Sequence, residues 1–134
     1  MSVFLENNLN AKQLSPQTLA FMGDTVYDLL VRELLIVEAN RPVGQLNREK
    51  VKYVNCESQA KSADYIMSEL SEDELAVYKR GRNAFTKNTP KNLSVAAYHS
   101  ATGLEALFGY LYLKGENGRI KELFKKCIEA VNTT

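Results

Sequence analysis

The chain has 134 residues, of which 45% are hydrophobic and 25% are charged, and its formal net charge is +1. These values are ordinary for a globular protein, so we expect one domain over residues 1–134 with a buried core. No apolar run reaches the length of a membrane span, and the first residues lack the basic and apolar segments of a signal peptide. We therefore expect a cytoplasmic protein with no membrane partner, in which Cys56 and Cys127 are reduced structural residues.

The first half of the chain predicts two helical regions. Ser15-Pro16 is typical of an N-cap followed by proline at the first helical position, and the helix should continue from Ala20 to Ala39. Asn40-Arg41-Pro42 should end it. A second helical region is predicted from about Val43 to Tyr53, and a loose apolar stripe extends it, straight or bent, to Leu70.

The second half begins with a helix signal and a basic stretch. Ser71-Glu72-Asp73-Glu74 matches a capping box, and the helix that it starts should run to about Arg80. The segment from Gly81 to Asn92 lacks apolar periodicity and is rich in Gly, Asn and Pro, which predicts a loop. Residues 75–104 contain no acid but five basic residues, so this part of the chain could bind phosphates while the rest stays near neutral.

Two more helices complete the prediction. A long helix should run from about Ser94 to Lys114, with Gly115 as its stop. Asn117-Gly118 is predicted to be a turn, and an amphipathic helix should follow from about Arg119 through Val131. Since no strand pattern competes, we predict an all-α fold.

Two carboxylates lie in otherwise apolar helical stretches, Asp24 in the first long helix and Glu105 in the long helix of the second half. An ionised carboxylate is costly to bury unless it is paired, hydrogen-bonded or bound to a metal. If these helices pack together, both carboxylates could meet at a cation. Spacing alone leaves a plainer alternative open, in which each carboxylate bonds to a neighbouring helix or lies near a subunit contact.

The sequences around the two carboxylates resemble a known family. Leu19-Ala20-Phe21-Met22-Gly23-Asp24 resembles the ribonuclease III signature, whose core reads Leu-Glu-Phe-Leu-Gly-Asp. The run from Thr102 to Leu113 resembles the second motif of that family, Asp-x-x-Glu-Ala-Leu-Ile-Gly-Ala-x-Tyr-Leu. The short chain, without a double-stranded-RNA-binding domain, is similar to the compact subfamily called Mini-ribonuclease III.

This resemblance implies a dimeric ribonuclease III-like fold and a magnesium-dependent endoribonuclease that cleaves double-stranded RNA, with Mn²⁺ as a substitute ion. The implied natural substrate is the precursor of large-subunit (23S) ribosomal RNA. Asp24 and Glu105 would be the catalytic metal ligands. Ala20 and Thr102 stand where the larger enzymes carry Glu and Asp, which leaves the number of metal ions open. Phe21 matches the aromatic residue that inserts into the partner subunit of the homodimer, although a core position is the alternative.

The resemblance also implies that the basic segment grips an RNA duplex, because A-form RNA is recognised through its shape, phosphates and 2′-hydroxyls. The predicted RNA-binding residues are Lys79, Arg80, Arg82, Asn83, Lys87, Asn88, Lys91 and Asn92. A solvated basic loop without a partner is the alternative. Asp28 is interpreted as part of a salt-bridged face or as support for Asp24, and His99 as a packing or surface residue.

Two other functions stay open at this point. One is a catalytically silent helical dimer that binds double-stranded RNA, and the other is a helical protein-interaction domain. The retained carboxylates favour the enzyme.

Overall fold

The computed structural model describes residues 4–84 and 94–133, and this part of the chain forms six α-helices. In chain order they are α1 (Pro16–Glu38), α2 (Val43–Tyr53), α3 (Cys56–Ile66), α4 (Glu72–Arg82), α5 (Val95–Leu113) and α6 (Asn117–Asn132). No strand occurs within the described ranges, which confirms the predicted all-α fold. None of these helices combines the length and the apolar character that crossing a membrane requires.

The two predicted N-caps are confirmed. The hydroxyl oxygen of Ser15 accepts a hydrogen bond from the Thr18 amide at 3.1 Å, and Pro16 is the first residue of α1. In the capping box of α4, the Glu74 amide donates to Ser71 Oγ at 3.2 Å and the Ser71 amide donates to Glu74 Oε1 at 2.9 Å. These side chains satisfy backbone groups that a helix end leaves unpaired, so the start of each helix is fixed locally.

The second helical region of the prediction is divided into two helices. Asn55 leaves the helical conformation between α2 and α3, and its side-chain oxygen accepts a hydrogen bond from the Ser58 amide at 2.9 Å. The same side chain donates to the carbonyl oxygen of Val51 at 2.7 Å. Asn55 therefore ends one helix and caps the next, which gives the predicted bend a specific position.

Two predicted boundaries are wrong. The helix predicted to end near Arg80 continues through Gly81 to Arg82, because Gly81 is buried against α5. The turn predicted at Asn117-Gly118 is the first turn of α6. The chain reverses instead at Gly115, whose positive φ of 77° favours glycine.

The helix α5 lies at the centre of the fold, with α1, α3 and α4 packed around it. Ten of its 19 residues are buried, and they occur on all sides of the helix. The Tyr27 ring of α1 packs edge-on against Phe108 of α5 and Phe124 of α6, with centroid distances of 5.2 and 5.5 Å. A residue on α5 that points between these neighbours is therefore held in a rigid, apolar frame.

Both cysteines are free, as predicted. Cys56 is half-buried at the start of α3, and Cys127 is fully buried in α6.

Candidate active site

The helices α1 and α5 cross at a point where two glycines leave no room for side chains. A Cβ atom added to Gly23 would overlap the carbonyl oxygen of Glu105 and lie 2.9 Å from the backbone nitrogen of Gly109. A Cβ atom added to Gly109 would overlap the carbonyl oxygen of Leu19. The two backbones can approach this closely only because both residues lack a side chain. Asp24 directly follows the first glycine, and Glu105 lies one turn before the second.

The crossing brings the two predicted carboxylates together. The pKa of Glu105 is raised to about 8, first by burial and then by the hydrogen bond to Asp24 and the charge of Asp24. When Glu105 is protonated, its carboxyl can donate a hydrogen bond to Asp24, since a carboxylate can only accept. Asp24 is exposed and Glu105 is half-buried. Within the described residues neither carboxylate forms an ion pair with a Lys, an Arg or the single His.

The carboxylate pair opens onto a shallow depression of about 280 Å³. Its lining residues are Gln17, Ala20, Phe21, Asp24, Tyr98, Thr102 and Glu105. We call this the carboxylate depression. Ala20 and Thr102 lie on its wall, so the two positions that depart from the larger enzymes belong to the same site as the carboxylates. In the described ranges no cluster of three or more His, Cys, Asp or Glu side chains is placed to hold a metal ion.

The donor set of this site fits a hard divalent cation with few protein ligands. Carboxylate oxygens are what Mg²⁺ prefers, and this ion commonly keeps several waters while one or two carboxylates and a substrate phosphate complete its shell. Burial and then the neighbouring Asp24 carboxylate raise the pKa of Glu105, so ionising both carboxyl groups is costly here, and a bound cation would offset that cost. The side chains present therefore suit Mg²⁺ or Mn²⁺ bound by Asp24 and Glu105.

Asp28, one turn after Asp24, has a separate role. Its carboxylate accepts a hydrogen bond from Arg32 at 2.6 Å and lies 3.1 Å from Lys50 Nζ on α2. Burial acts to raise the pKa of Asp28, but these two cations outweigh it and lower that pKa below its ordinary value. Asp28 does not line the carboxylate depression, and its interpretation as a salt-bridged residue is confirmed.

His99 is half-buried and lies edge-on to the Tyr98 ring at a centroid distance of 5.9 Å. Its Nδ1 atom is buried and has no hydrogen-bond partner among the described residues. Since His99 is not part of the wall of the carboxylate depression, the structure agrees with its interpretation as a packing residue.

The predicted RNA-binding residues fall into two groups. Lys87, Asn88, Lys91 and Asn92 lie outside the described residues. The others occupy the end of α4: Lys79, Arg80, Arg82 and Asn83. Lys79, Arg80 and Asn83 are exposed and Arg82 is half-buried, so this end of α4 presents positive charge to solvent.

Both arginines of this group also make contacts within the protein. The Arg80 guanidinium donates to the carbonyl oxygens of Lys12 at 3.3 Å and Leu14 at 3.1 Å, which ties the N-terminal segment to α4. The Arg82 guanidinium lies 5.7 Å from the centroid of the Tyr78 ring. Arg80 therefore has a structural role that its sequence context did not indicate.

Phe21 is 81% exposed, so the alternative that placed it in the core of the subunit is wrong. Its ring instead forms part of the rim of the carboxylate depression.

Sequence reasoning missed Gln17 and Tyr98, which share the depression with the carboxylates. Gln17 lies seven residues before Asp24, and Tyr98 lies seven residues before Glu105. Seven residues are nearly two helical turns, so each side chain shares a helix face with its carboxylate. This spacing is the signal that could have found them.

Comparison with known proteins assigns the chain to a family. Residues 17–116 match the model of the ribonuclease III domain. The chain belongs to the ribonuclease III family. It is similar to the Mini-ribonuclease 3 of Thermoanaerobacter sp., with 45% identity covering 98% of this chain and 96% of the relative. It is also similar to the Mini-ribonuclease 3 of Staphylococcus aureus, with 37% identity covering 90% and 92%.

The fold agrees with this assignment. A crystal structure of a protein from Fusobacterium nucleatum superimposes with a TM-score of 0.78 at 29% identity, covering 87% of this chain and 93% of that one. The resemblance noted from the two motifs is therefore confirmed. As a ribonuclease III-family member similar to Mini-ribonuclease 3 enzymes, the chain is an endoribonuclease. That family acts on double-stranded RNA.

Proposed function

We propose that this endoribonuclease hydrolyses phosphodiester bonds in double-stranded RNA at the carboxylate depression, with Asp24 and Glu105 as ligands of a catalytic Mg²⁺. The observation that carries the proposal is the pairing of two carboxylates from different helices, with no cationic side chain among the described residues to neutralise either. Because burial and the neighbouring Asp24 favour a proton on Glu105, ionising both carboxyl groups is costly unless a bound cation compensates their charge.

Each helix contributes one part of the proposed chemistry. A bound Mg²⁺ would activate a water and stabilise charge on the phosphate. Asp24, exposed at the rim, would hold the ion where an RNA backbone can reach it, while the half-buried Glu105 would fix the ion's position. Glu105 would bind as the ionised form and would release its proton to solvent. Neither side chain would act as a covalent nucleophile.

The test is cleavage of a purified RNA duplex in the presence of Mg²⁺ or of a chelator. The parent protein should cut the duplex only with the ion. Asp24→Asn and Glu105→Gln should each abolish cleavage while leaving the helical circular-dichroism signal intact. Glu33→Gln is a matched control, since Glu33 is an exposed acid of α1 outside the depression. Near-parental rates for either site variant would contradict its role as a ligand. RNA binding by a parent that never cleaves would favour the silent RNA-binding dimer instead.

We also propose a homodimer that forms over α1. Three apolar side chains on one side of this helix are largely exposed: Phe21 at 81%, Leu29 at 58% and Ile36 at 64%. Exposed apolar side chains that share one side of a helix are what a partner subunit would cover. Because Phe21 also lines the carboxylate depression, a partner on this stripe would lie beside the site, and a twofold dimer would offer two sites to the two strands of a duplex.

The proposed natural substrate is the precursor of large-subunit (23S) ribosomal RNA, which rests on the resemblance to Mini-ribonuclease III enzymes alone. The experiment is to map the ends of this RNA in cells that lack the protein and in cells that carry Asp24→Asn. Extended ends in both strains support the substrate. Mature ends in both would exclude it.

A further inference from the structure

The carboxylate depression contains two neutral polar side chains that the proposed chemistry does not use. Gln17 and Tyr98 line it together with the carboxylates, each about two turns before the acid of its own helix. At a rise of 1.5 Å per residue, this spacing is about 10 Å along each helix. Both helices therefore carry the same pair of functions on one face, an acid and an uncharged hydrogen-bonding group.

Both groups are available to a ligand. The Gln17 amide and the Tyr98 hydroxyl make no hydrogen bond within the described residues, and Gln17 is exposed while Tyr98 is half-buried. Thr102, the other hydroxyl in the depression, is already engaged, since its Oγ1 donates to the carbonyl oxygen of Tyr98 at 3.0 Å. Gln17 and Tyr98 are thus the uncommitted neutral polar groups of this wall.

The charges of the depression restrict what these groups can recognise. Its lining contains two acids and, among the described residues, no Lys, Arg or His. A phosphate would be repelled wherever no cation accompanies it, so the wall beyond the carboxylates suits an uncharged part of the RNA. An amide and a phenol each donate and accept hydrogen bonds, as a ribose 2′-hydroxyl does. The minor groove of A-form RNA is wide and presents those hydroxyls.

We propose that Gln17 and Tyr98 bind ribose 2′-hydroxyls of nucleotides next to the scissile phosphate and thereby make the site selective for RNA over DNA. This inference rests on the proposed function, because it needs the RNA strand to cross the carboxylate pair. Gln17 and Tyr98 are then specificity-determining residues at the ends of the site, and the carboxylates keep the chemistry.

The test combines protein variants with single-atom changes in the substrate. Tyr98→Phe removes only the hydroxyl, and a set of RNA duplexes each carries one 2′-deoxynucleotide near the cut. With the parent protein, one deoxy position should lower kcat/KM by about three- to tenfold, the range of one neutral hydrogen bond. On the all-ribose duplex, Tyr98→Phe should lower kcat/KM by the same factor. On the duplex with that deoxy position, the variant and the parent protein should have equal kcat/KM. Gln17→Ala should behave in the same way at a different position.

A merely structural role would give a different pattern. If the two reductions in kcat/KM multiply at every position, the hydroxyl of Tyr98 does not contact a 2′-hydroxyl and the proposal is overturned. Tyr112→Phe is the matched control, since Tyr112 is a half-buried tyrosine of the same helix outside the depression. Tyr112→Phe should leave kcat/KM unchanged on the all-ribose duplex and on the deoxy-substituted duplexes. A parent protein that fails to cut the all-ribose duplex would contradict the proposed function itself, which is a separate outcome.

Discussion

Gly23 and Gly109 are in backbone contact where α1 crosses α5, and this contact sets the distance between the two carboxylates. A Cβ atom added to either glycine would lie 2.9 Å from the backbone nitrogen of the other. Helix axes in proteins are usually about 8–10 Å apart, and side chains at the crossing set that distance. With glycine on both helices the crossing is as close as backbones permit, and Asp24 and Glu105 come within hydrogen-bonding reach.

The first prediction concerns this crossing. Gly109→Ala should destabilise the protein by about 3 kcal/mol or more, because the added methyl overlaps backbone atoms that cannot move aside cheaply. It should also lower the rate of RNA cleavage strongly, because the two helices must move apart and this separates Asp24 from Glu105. Chemical denaturation monitored by circular dichroism and a cleavage assay under conditions where the variant is folded measure the two effects.

Gly118→Ala is the matched control for that substitution. Gly118 lies in α6, and a Cβ atom added there meets nothing within 4 Å. Alanine is the better helix former, so this variant should be as stable as the parent or more stable by about 0.5–1 kcal/mol. If the two alanine variants have equal free energies of unfolding and equal cleavage rates, the close crossing contributes to neither stability nor activity.

The second prediction is a pH dependence that follows from Glu105. Its pKa is about 8 in the folded protein, against an ordinary value of 4.5, so the metal-free folded state holds a proton that the unfolded chain has lost. This group's contribution to the free energy of unfolding should therefore fall as pH rises from about 5 to 8. Because Mg²⁺ must displace the same proton, its apparent affinity should rise by about tenfold per pH unit over this range and level off above it.

Two variants separate Glu105 from other titrating groups. Glu105→Gln should remove its contribution to both pH dependences, and Asp24→Asn should lower the pKa of Glu105, since the neighbouring charge is gone. Magnetic resonance of the Glu105 side chain during a pH titration measures this pKa directly. If the pKa of Glu105 in the parent protein lies near its ordinary value of 4.5, Glu105 is neither buried beside Asp24 nor sharing a proton with it.

How far the sequence predicts this protein depends on the range of the interactions involved. The capping residues Ser15 and Ser71 act within three residues, and both helix starts were predicted correctly. Asn117-Gly118 favours a turn by local propensity, but burial of Ile120 and Leu123 farther along α6 supports a helix from Asn117, so the local signal fails.

The candidate site shows the same limit. Asp24 and Glu105 were singled out because a charge in an apolar helix needs a partner, and the resemblance of both motifs to the ribonuclease III family favoured a metal site over a plain helix contact. Gln17 and Tyr98 were missed, since a polar residue on a helix is unremarkable until the angle and rotation of two crossing helices place it beside an acid. The structural role of Arg80 was missed for a related reason, because the carbonyl groups that it binds lie 66 and 68 residues earlier in the chain.

The third prediction concerns association through α1. The protein should be a dimer at micromolar concentration, and Phe21→Ala should weaken the dimer by about 3–5 kcal/mol if the partner buries this ring. The subunit itself should keep nearly all of its stability, since the side chain is 81% exposed in it. Light scattering over a concentration series measures the dissociation constant.

Phe4→Ala provides the comparison for that variant. Phe4 is equally exposed at 81%, but it lies in the N-terminal segment and not on the stripe of Phe21, Leu29 and Ile36. The Phe4 variant should remain dimeric under conditions in which the Phe21 variant dissociates. A monomeric parent would exclude the dimer and the placement of two sites on one duplex.

The fourth prediction concerns the basic residues at the end of α4. Lys79→Gln together with Arg82→Gln should weaken binding to duplex RNA and flatten its dependence on salt, by roughly 0.7–0.9 in log–log slope for each phosphate that the variant no longer neutralises. Maximal turnover at saturating RNA should change less than affinity, because neither residue lines the carboxylate depression.

The double variant Lys121→Gln with Lys125→Gln is the control, since it removes the same charge from α6 and should leave the salt slope unaltered. Arg80→Gln should differ from both pairs by lowering the thermal midpoint, since its guanidinium holds the carbonyls of the N-terminal segment. Equal salt slopes for the α4 and α6 pairs would show that the end of α4 is merely a solvated basic surface.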